Sequence, residues 1–206
     1  MSGRFFLDHA SLPHALALIN DVALTLSCHG VTYSLDGGTA LGIIREGRLL
    51  PWDTDIDLAV DAKDWRKLKN AGISLFLKGY RVRFRRAKSD AGPISRGDIR
   101  VMKIWRRRFF FFKGEMVDVF LRYIEDENCY WLLEGKDRKA LCKMPVRFHN
   151  QLTSVYFNGI NHNIPLNWDE FLTHRYGDWR TPVINWDAFV DDGSIDKQNA
   201  KIKNQD

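Results

Sequence analysis

Leu12, Leu16, Ile19, Val22, Ala23 and Leu26 recur at helical steps, with Ser11 as a cap, Pro13 in the first turn and Gly30 past the end. That spacing predicts an amphipathic opening helix. Val31, Tyr33 and Leu35 then alternate with polar residues as a strand does, a glycine pair interrupts the pattern, and the short apolar stretch Ala40 to Ile44 follows. The order reads as strand, tight turn, short helix. From Asp55 to Val60 acids and aliphatics alternate, so a strand there would carry Asp55 and Asp57 on one face and Ile56 and Leu58 on the other. Asp61 can cap a helix through Lys63 to Asn70. Strand-like segments follow at Tyr80 to Arg86, Ile99 to Trp105, Met116 to Tyr123 and Cys129 to Leu133. Gly135 to Asn150 reads as a mostly polar linker, and Asp169 to Tyr176 as a second helical segment. No repeat or clear boundary divides the chain, which predicts one domain over residues 1–190 and a polar, frayed tail over residues 191–206.

Composition narrows the partners. A chain of 206 residues with 45% hydrophobic content can bury a sizeable core, and a formal charge of +5 favours anionic partners without choosing among nucleotides, phosphorylated glycans and membrane surfaces. Nucleic acid is not favoured. Cys28, Cys129 and Cys142 are odd in number and lack metal-ligand spacing, which fits a reducing cytosol better than a disulfide framework. Asp8, Asn20 and Asp21 interrupt the apolar N-terminal region, which therefore does not read as a signal peptide, and no run approaches the ~18 apolar residues of a spanning helix. The expectation is a cytoplasmic, soluble chain, with peripheral attachment to the inner face of a membrane left open.

The chemistry starts at Asp55-Ile56-Asp57. Two carboxylates on one face of a strand can share a hard divalent cation, Mg²⁺ or Mn²⁺, which keeps positions for waters and substrate phosphates. Asp53 continues the period, but Pro51 and Trp52 put it at the strand's entrance, as an outer carboxylate, a base or a plain loop acid. A solvent-facing acidic strand is the competing explanation. A calcium loop is excluded because Leu58 and Asp64 stand where that pattern needs glycine and glutamate, and Gly37 to Gly42 lacks the glycine spacing of a dinucleotide fingerprint. The turn Gly37-Gly38-Thr39 opening a helix would let backbone N–H groups approach a phosphate. A third acid is wanted from a neighbouring strand, and Asp118, flanked by Val117 and Val119, supplies one. Glu115 has the opposite parity and belongs to the other face.

Gly37-Gly38-Thr39-x-Leu41-Gly42-x-x-Arg45, followed by Leu50-Pro51-Trp52-Asp53-x-Asp55-Ile56-Asp57, resembles the signature of the LicD family, which includes fukutin-related transferases. Phe157-Asn158-Gly159-Ile160, Ile164-Pro165, Phe171-Leu172 and Tyr176-Gly177-Asp178-Trp179-x-x-Pro182 resemble that family's C-terminal pattern. Glu46 stands where a histidine is common and Thr54 where an acid is frequent. Alternation and resemblance together predict an α+β (mixed α/β) chain of nucleotidyltransferase-like, polymerase beta-like fold: a small mixed sheet flanked by helices, forming one catalytic domain. The resemblance implies transfer of phosphocholine or a phospho-alditol from a CDP-linked donor to a hydroxyl of a cell-surface glycan or glycolipid, such as lipopolysaccharide or teichoic acid, releasing CMP. It also implies that Asp55, Asp57 and Asp118 are catalytic metal ligands and that Gly37, Gly38, Thr39 and Arg45 face the donor phosphates. Trp52, Tyr176 and Trp179 become substrate contacts.

Trp52, Trp105, Trp168, Tyr176 and Trp179 could cage a quaternary ammonium or simply fill a core. Arg81, Arg83 and Arg85, and the run Arg106-Arg107-Arg108, read as a solvated face, an acidic-glycan groove or a nucleic-acid stripe. His149, His162 and His174 lack ligand spacing. Two alternatives to the transferase remain at this stage: a nucleotidyltransferase acting on a small molecule such as an antibiotic, and a nucleic-acid-binding protein.

Overall fold

The structure, a computed structural model, describes Leu7, residues 11–106 and residues 115–197. Its elements run in the order α1 (Leu12–Cys28), β1 (Tyr33–Leu35), α2 (Gly37–Glu46), β2 (Ile56–Asp61), α3 (Trp65–Leu77), β3 (Tyr80–Arg86), β4 (Ile99–Arg106) and β5 (Met116–Glu125). Then come β6 (Asn128–Glu134), β7 (Lys139–Pro145), α4 (Arg147–Asn150), β8 (Leu152–Phe157), β9 (Ile160–Pro165) and α5 (Trp168–Tyr176). A 3-10 turn, Ala62–Asp64, leads into α3, and Asp61 caps it by accepting from the Lys63 N–H.

The main sheet is mixed, with strand order β1-β2-β5-β4-β3; β6 pairs with the far end of β5, and β7 with β6. Among the described residues only β2 and β5 run parallel, joined through α3, β3 and β4. Ile56, Leu58 and Val60 on β2, Val117, Val119 and Leu121 on β5, and Met102 and Ile104 on β4 are fully buried in the same cluster as the inward faces of α1 and α3. Each such aliphatic side chain contributes about 1.5–3 kcal/mol of transfer free energy. The helices therefore cover one face of the sheet. The other face carries the polar alternates, because side chains of a strand point to opposite sides in turn.

Two segments depart from the sequence reading. Gly135 to Asn150 is not a linker, since β7 and α4 occupy most of it and Ala140, Leu141, Cys142, Met144 and Phe148 are buried. Lys139 and Lys143 disguise the pattern because they sit at the strand's less buried positions. The tail beginning at residue 191 is packed rather than frayed as far as Asp196. Lys143 N–H donates to the Ser194 carbonyl, Asp196 N–H donates to the Leu141 carbonyl, and Asp192, Ser194 and Asp196 are buried. Residues 198–206 lie outside the described residues, as do Arg107 and Arg108. The β8–β9 hairpin, turning at Asn158 and Gly159 with positive φ at both, was not anticipated. No helix among the described residues is long and apolar enough to cross a membrane.

Candidate active site

β1 delivers the chain to Asp36, and α2 starts at the very next residue. Gly37 has φ of +54°, and a Cβ on it would collide with Asp57 Oδ2; a Cβ on Gly38 would collide with Asp53 Oδ2. The glycine pair thus lets the first turn of α2 sit directly against the carboxylates, an approach closed to any larger residue. Asp36 N–H donates to the Asp57 carbonyl at 3.0 Å, and Asp57 N–H donates to Thr39 Oγ1 at 2.9 Å. Thr39 is buried and ties α2 to β2 through its hydroxyl. It does not line the cavity described below, unlike Gly37 and Gly38.

The parallel register sets Asp57 opposite Asp118. Their side chains share the face opposite the core, where one carboxylate oxygen from each of Asp55, Asp57 and Asp118 lies within 4.8 Å of the others. Lys103, directly across from Asp118 on β4, pairs with its Oδ2, leaving the buried Oδ1 without a hydrogen-bond partner. Asp53 stays outside this trio. Its Oδ1 accepts from the Thr54 N–H at 2.9 Å, and its other oxygen points at the α2 start.

Crowding of acids in a buried place raises their proton affinity. Burial, then the charges of Asp55, Asp53 and Asp118, hold the Asp57 carboxyl well above the usual range. Burial and then Asp55 push Asp53 up to about 7. Asp118 reaches about 6, raised by burial and restrained by Lys103, and burial also raises Asp55 against the pull of Lys103.

Asp53, Asp55 and Asp57, with Lys103, form part of the lining of a cavity of about 890 Å³, whereas Asp118 is buried and not among its lining residues. Gly37, Gly38 and Arg45 of α2 and the aromatic residues Trp52, Tyr176 and Trp179 line it, with Trp105, Trp131 and Trp186. Trp168 does not; it packs edge-on against Trp179 at 6.0 Å between ring centres. Arg45 is shared, since its Nη1 donates to the Trp179 carbonyl at 3.1 Å and its Nη2 pairs with Glu46 at 2.7 Å. It therefore fastens the segment after α5 to α2.

Sequence reasoning passed over four groups at this site. Asp36, one residue before the glycines, is buried and bound by Arg122 and by Arg175 Nη1 at 2.7 Å, and Arg175 also pairs with Asp192. Lys103 could have been found as the one cation inside the apolar run Val101 to Trp105. Arg175, next to the Tyr176-Gly177 pair, had no local signal. Arg83 and Arg85 were noticed as a stripe, but the cavity they line was not.

Residues 30–167 match the family model "LicD/FKTN/FKRP, nucleotidyltransferase domain". The chain belongs to this family. Its fold is accordingly the nucleotidyltransferase-like one, a mixed sheet flanked by helices. Among curated relatives, mouse "Ribitol 5-phosphate transferase FKRP" is 46% identical over 170 residues, covering 74% of this chain and 29% of that protein. Human "Ribitol-5-phosphate transferase FKTN" is 26% identical over 183 residues, covering 84% of this chain and 34% of that protein. The LicD-family chain thus spans about a third of the length of these relatives. Among solved structures, ANT(2'')-Ia in complex with adenylyl-2''-tobramycin aligns with a TM-score of 0.44 at 19% identity, over 84% of this chain and 80% of that one. The solution structure of ANT(2'')-Ia aligns at 0.45 and 18%, over 85% and 77%.

Proposed function

We propose that this chain is a phosphotransferase that moves a phospho-alditol, ribitol 5-phosphate in the first instance, from a CDP-linked donor to a glycan hydroxyl with release of CMP. The observation that carries this reading is the Asp57–Asp118 register, which gathers three carboxylates, two of them, Asp55 and Asp57, on the wall of the cavity beside the start of α2. The ribitol in the names of the mouse and human relatives supports the choice of alditol.

The residues fit a hard divalent cation. Asp118 Oδ1 is buried without a partner, and the acids of the trio repel one another unless a cation neutralises them. Asp55, Asp57 and Asp118 would hold Mg²⁺ or Mn²⁺, which when bound neutralises phosphate oxygens and orients the donor. The donor diphosphate would lie along the first turn of α2, where Gly37 and Gly38 allow close approach and the helix dipole favours anions. Arg45 and Lys103 add positive charge at the two sides of that position. The acceptor hydroxyl oxygen attacks the alditol-bearing phosphorus, the bond from that phosphorus to the bridging oxygen breaks, and CMP leaves with the electron pair. Asp53, outside the metal-binding trio and facing the same space, takes the hydroxyl proton.

The aromatic lining argues for an alditol rather than choline. A quaternary ammonium needs open ring faces, yet Arg122 covers Trp131 at 3.7 Å, Arg180 covers Trp179 at 4.3 Å, and Tyr176 packs against Trp186 at 4.7 Å. Incubation with CDP-ribitol, CDP-glycerol or CDP-choline, Mg²⁺ and an oligosaccharide panel tests the proposal. CMP release from CDP-ribitol with a matching mass gain on the acceptor is the expected result. Pyrophosphate from nucleoside triphosphates, with no CMP from any CDP donor, would replace this reading with nucleotidyl transfer.

A further inference from the structure

Helix α3 buries one stripe of side chains and leaves a second apolar row in solvent. Leu68, Ala71, Gly72 and Leu75, three or four residues apart, are buried on its inner side. Trp65, Lys69, Ile73 and Leu77 follow one another at every fourth residue along the outer side, where Trp65 is 37%, Ile73 59% and Leu77 78% exposed. Single exposed aliphatics are ordinary on a protein surface, but a row of them on one helix calls for a reason. The charges around this row are mostly positive. Lys63 is bound by Asp61 and Lys67 by Asp64, so the two acids at the start of the helix are neutralised locally. Arg66 and Lys69 pair with no carboxylate among the described residues, and they lie over the Trp65 ring at 5.2 Å and 5.3 Å from its centre. Lys78, just past the helix, donates to a neutral partner, Thr25 Oγ1, at 2.9 Å.

We propose that the outer side of α3 docks on the surface of an anionic phospholipid bilayer, with Trp65, Ile73 and Leu77 entering the headgroup layer and Arg66, Lys69 and Lys78 meeting lipid phosphates. Charge decides the occupant. A second copy seated on this face through a twofold axis would set the same cations against one another. The row is also narrow for a protein partner, since a stable protein interface engages about 20–30 residues a side. A bilayer demands no matching shape: it takes apolar side chains at shallow depth and cations just above them, which long basic stems supply. Each basic residue near an anionic leaflet adds to the attraction, and tryptophan suits the boundary between headgroups and acyl chains. The helices cover one face of the sheet and the carboxylates lie on the other, so docking leaves the candidate active site uncovered. The proposal therefore stands independently of the transferase reading.

Co-sedimentation of the full chain with vesicles tests it. Wild type should partition about tenfold better onto phosphatidylcholine vesicles holding about 30% phosphatidylglycerol than onto pure phosphatidylcholine, and high salt should release most of the bound protein. Arg66→Glu/Lys69→Glu and Ile73→Ser/Leu77→Ser should each cut binding to the anionic vesicles about tenfold. Lys88→Glu/Lys136→Glu makes the same charge change at exposed positions outside α3 and should cost less than about threefold. Equal binding to both kinds of vesicle, binding to neither, or an equal loss in the Lys88 and Lys136 variant would each overturn the proposal. So would a dimer in sedimentation velocity that Ile73→Ser/Leu77→Ser dissolves, because a second copy would then cover the row. All of the substituted positions are exposed, so melting temperatures should stay close to wild type. Were the serine variant to unfold, the Arg66 and Lys69 variant would still decide the matter.

Discussion

Two buried acidic centres stand on the same face of the sheet, and they are built in opposite ways. Around Asp36, Arg122 and Arg175 supply guanidinium groups, Arg175 binds Asp192 as well, and Arg122 stacks on Trp131. Burial would raise the Asp36 carboxyl, but the two arginine charges outweigh it and hold the group below its usual range. At Asp55, Asp57 and Asp118 the one ion pair among the described residues is Lys103 with Asp118; burial raises all three carboxyls, and neighbouring acids raise Asp57 and Asp118 further. The paired centre anchors α5 and the C-terminal segment to the start of α2. The less paired centre keeps an unmet demand for positive charge, and the proposed cation site rests on that demand.

The largest effect should come from removing a member of the unpaired centre. Asp118→Ala should lower turnover about a thousandfold or more, since cation placement and substrate orientation fail together, while the metal-free melting temperature holds or rises. A steady-state assay of CMP release, with a thermal melt in EDTA, reads both. The opposite pattern should follow at the paired centre. Arg175→Met leaves Asp36 and Asp192 buried with less compensation and should destabilise the fold by about 3–5 kcal/mol, measured by urea unfolding. If Arg175→Met were harmless and Asp118→Ala unfolded the chain, the two centres would have to exchange roles.

pH separates the centres more gently. Asp53 and Asp118, with folded values of about 7 and about 6, hold protons that the unfolded chain releases near pH 4. Their contribution to stability is greatest at or below that pH and is lost as pH rises through 6 to 7. Asp36 behaves in reverse: its contribution is present above the unfolded carboxylate value and lost as pH falls below about 4. The metal-free melting temperature should therefore fall by a few degrees between pH 5 and pH 8, and saturating Mg²⁺ should remove most of that slope. A slope unchanged by Mg²⁺ would detach the carboxylates from any cation. The smallest effect is expected at Glu115, fully buried on the core face with both carboxylate oxygens unpartnered among the described residues. Glu115→Met should raise stability by about 1–2 kcal/mol and leave turnover within about threefold. A dead Glu115→Met enzyme would shift the register of β5 by an odd number of residues.

The unpaired centre was legible in the sequence because its logic is local. Alternation of Asp55-Ile56-Asp57-Leu58 states both faces of β2, the flanking valines do the same for Asp118, and the glycines announce a close approach. The paired centre was not, since Asp36, Arg122, Arg175 and Asp192 come from four distant segments and each looks like an ordinary charge where it stands. The fold shows the same division. The periodic elements α1 and β3 lie where the sequence puts them, whereas β7 and α4 hid behind lysines, arginine and a proline. The β8–β9 hairpin did carry a signal in Asn158-Gly159, a pair suited to the tight turn observed. Asp192 and Asp196 read as a polar tail because burial by ion pairing and by backbone bonds to β7 leaves no apolar trace.

The central claim is that Asp55, Asp57 and Asp118 together hold a divalent cation. Calorimetric titration of Mn²⁺ into the EDTA-stripped chain tests it directly, beside Asp57→Asn and Asp118→Asn. The account predicts a saturable site in wild type, a melting temperature that rises on filling it, and loss of both in each variant. Equal Mn²⁺ binding by all three proteins, or none by wild type, would contradict it.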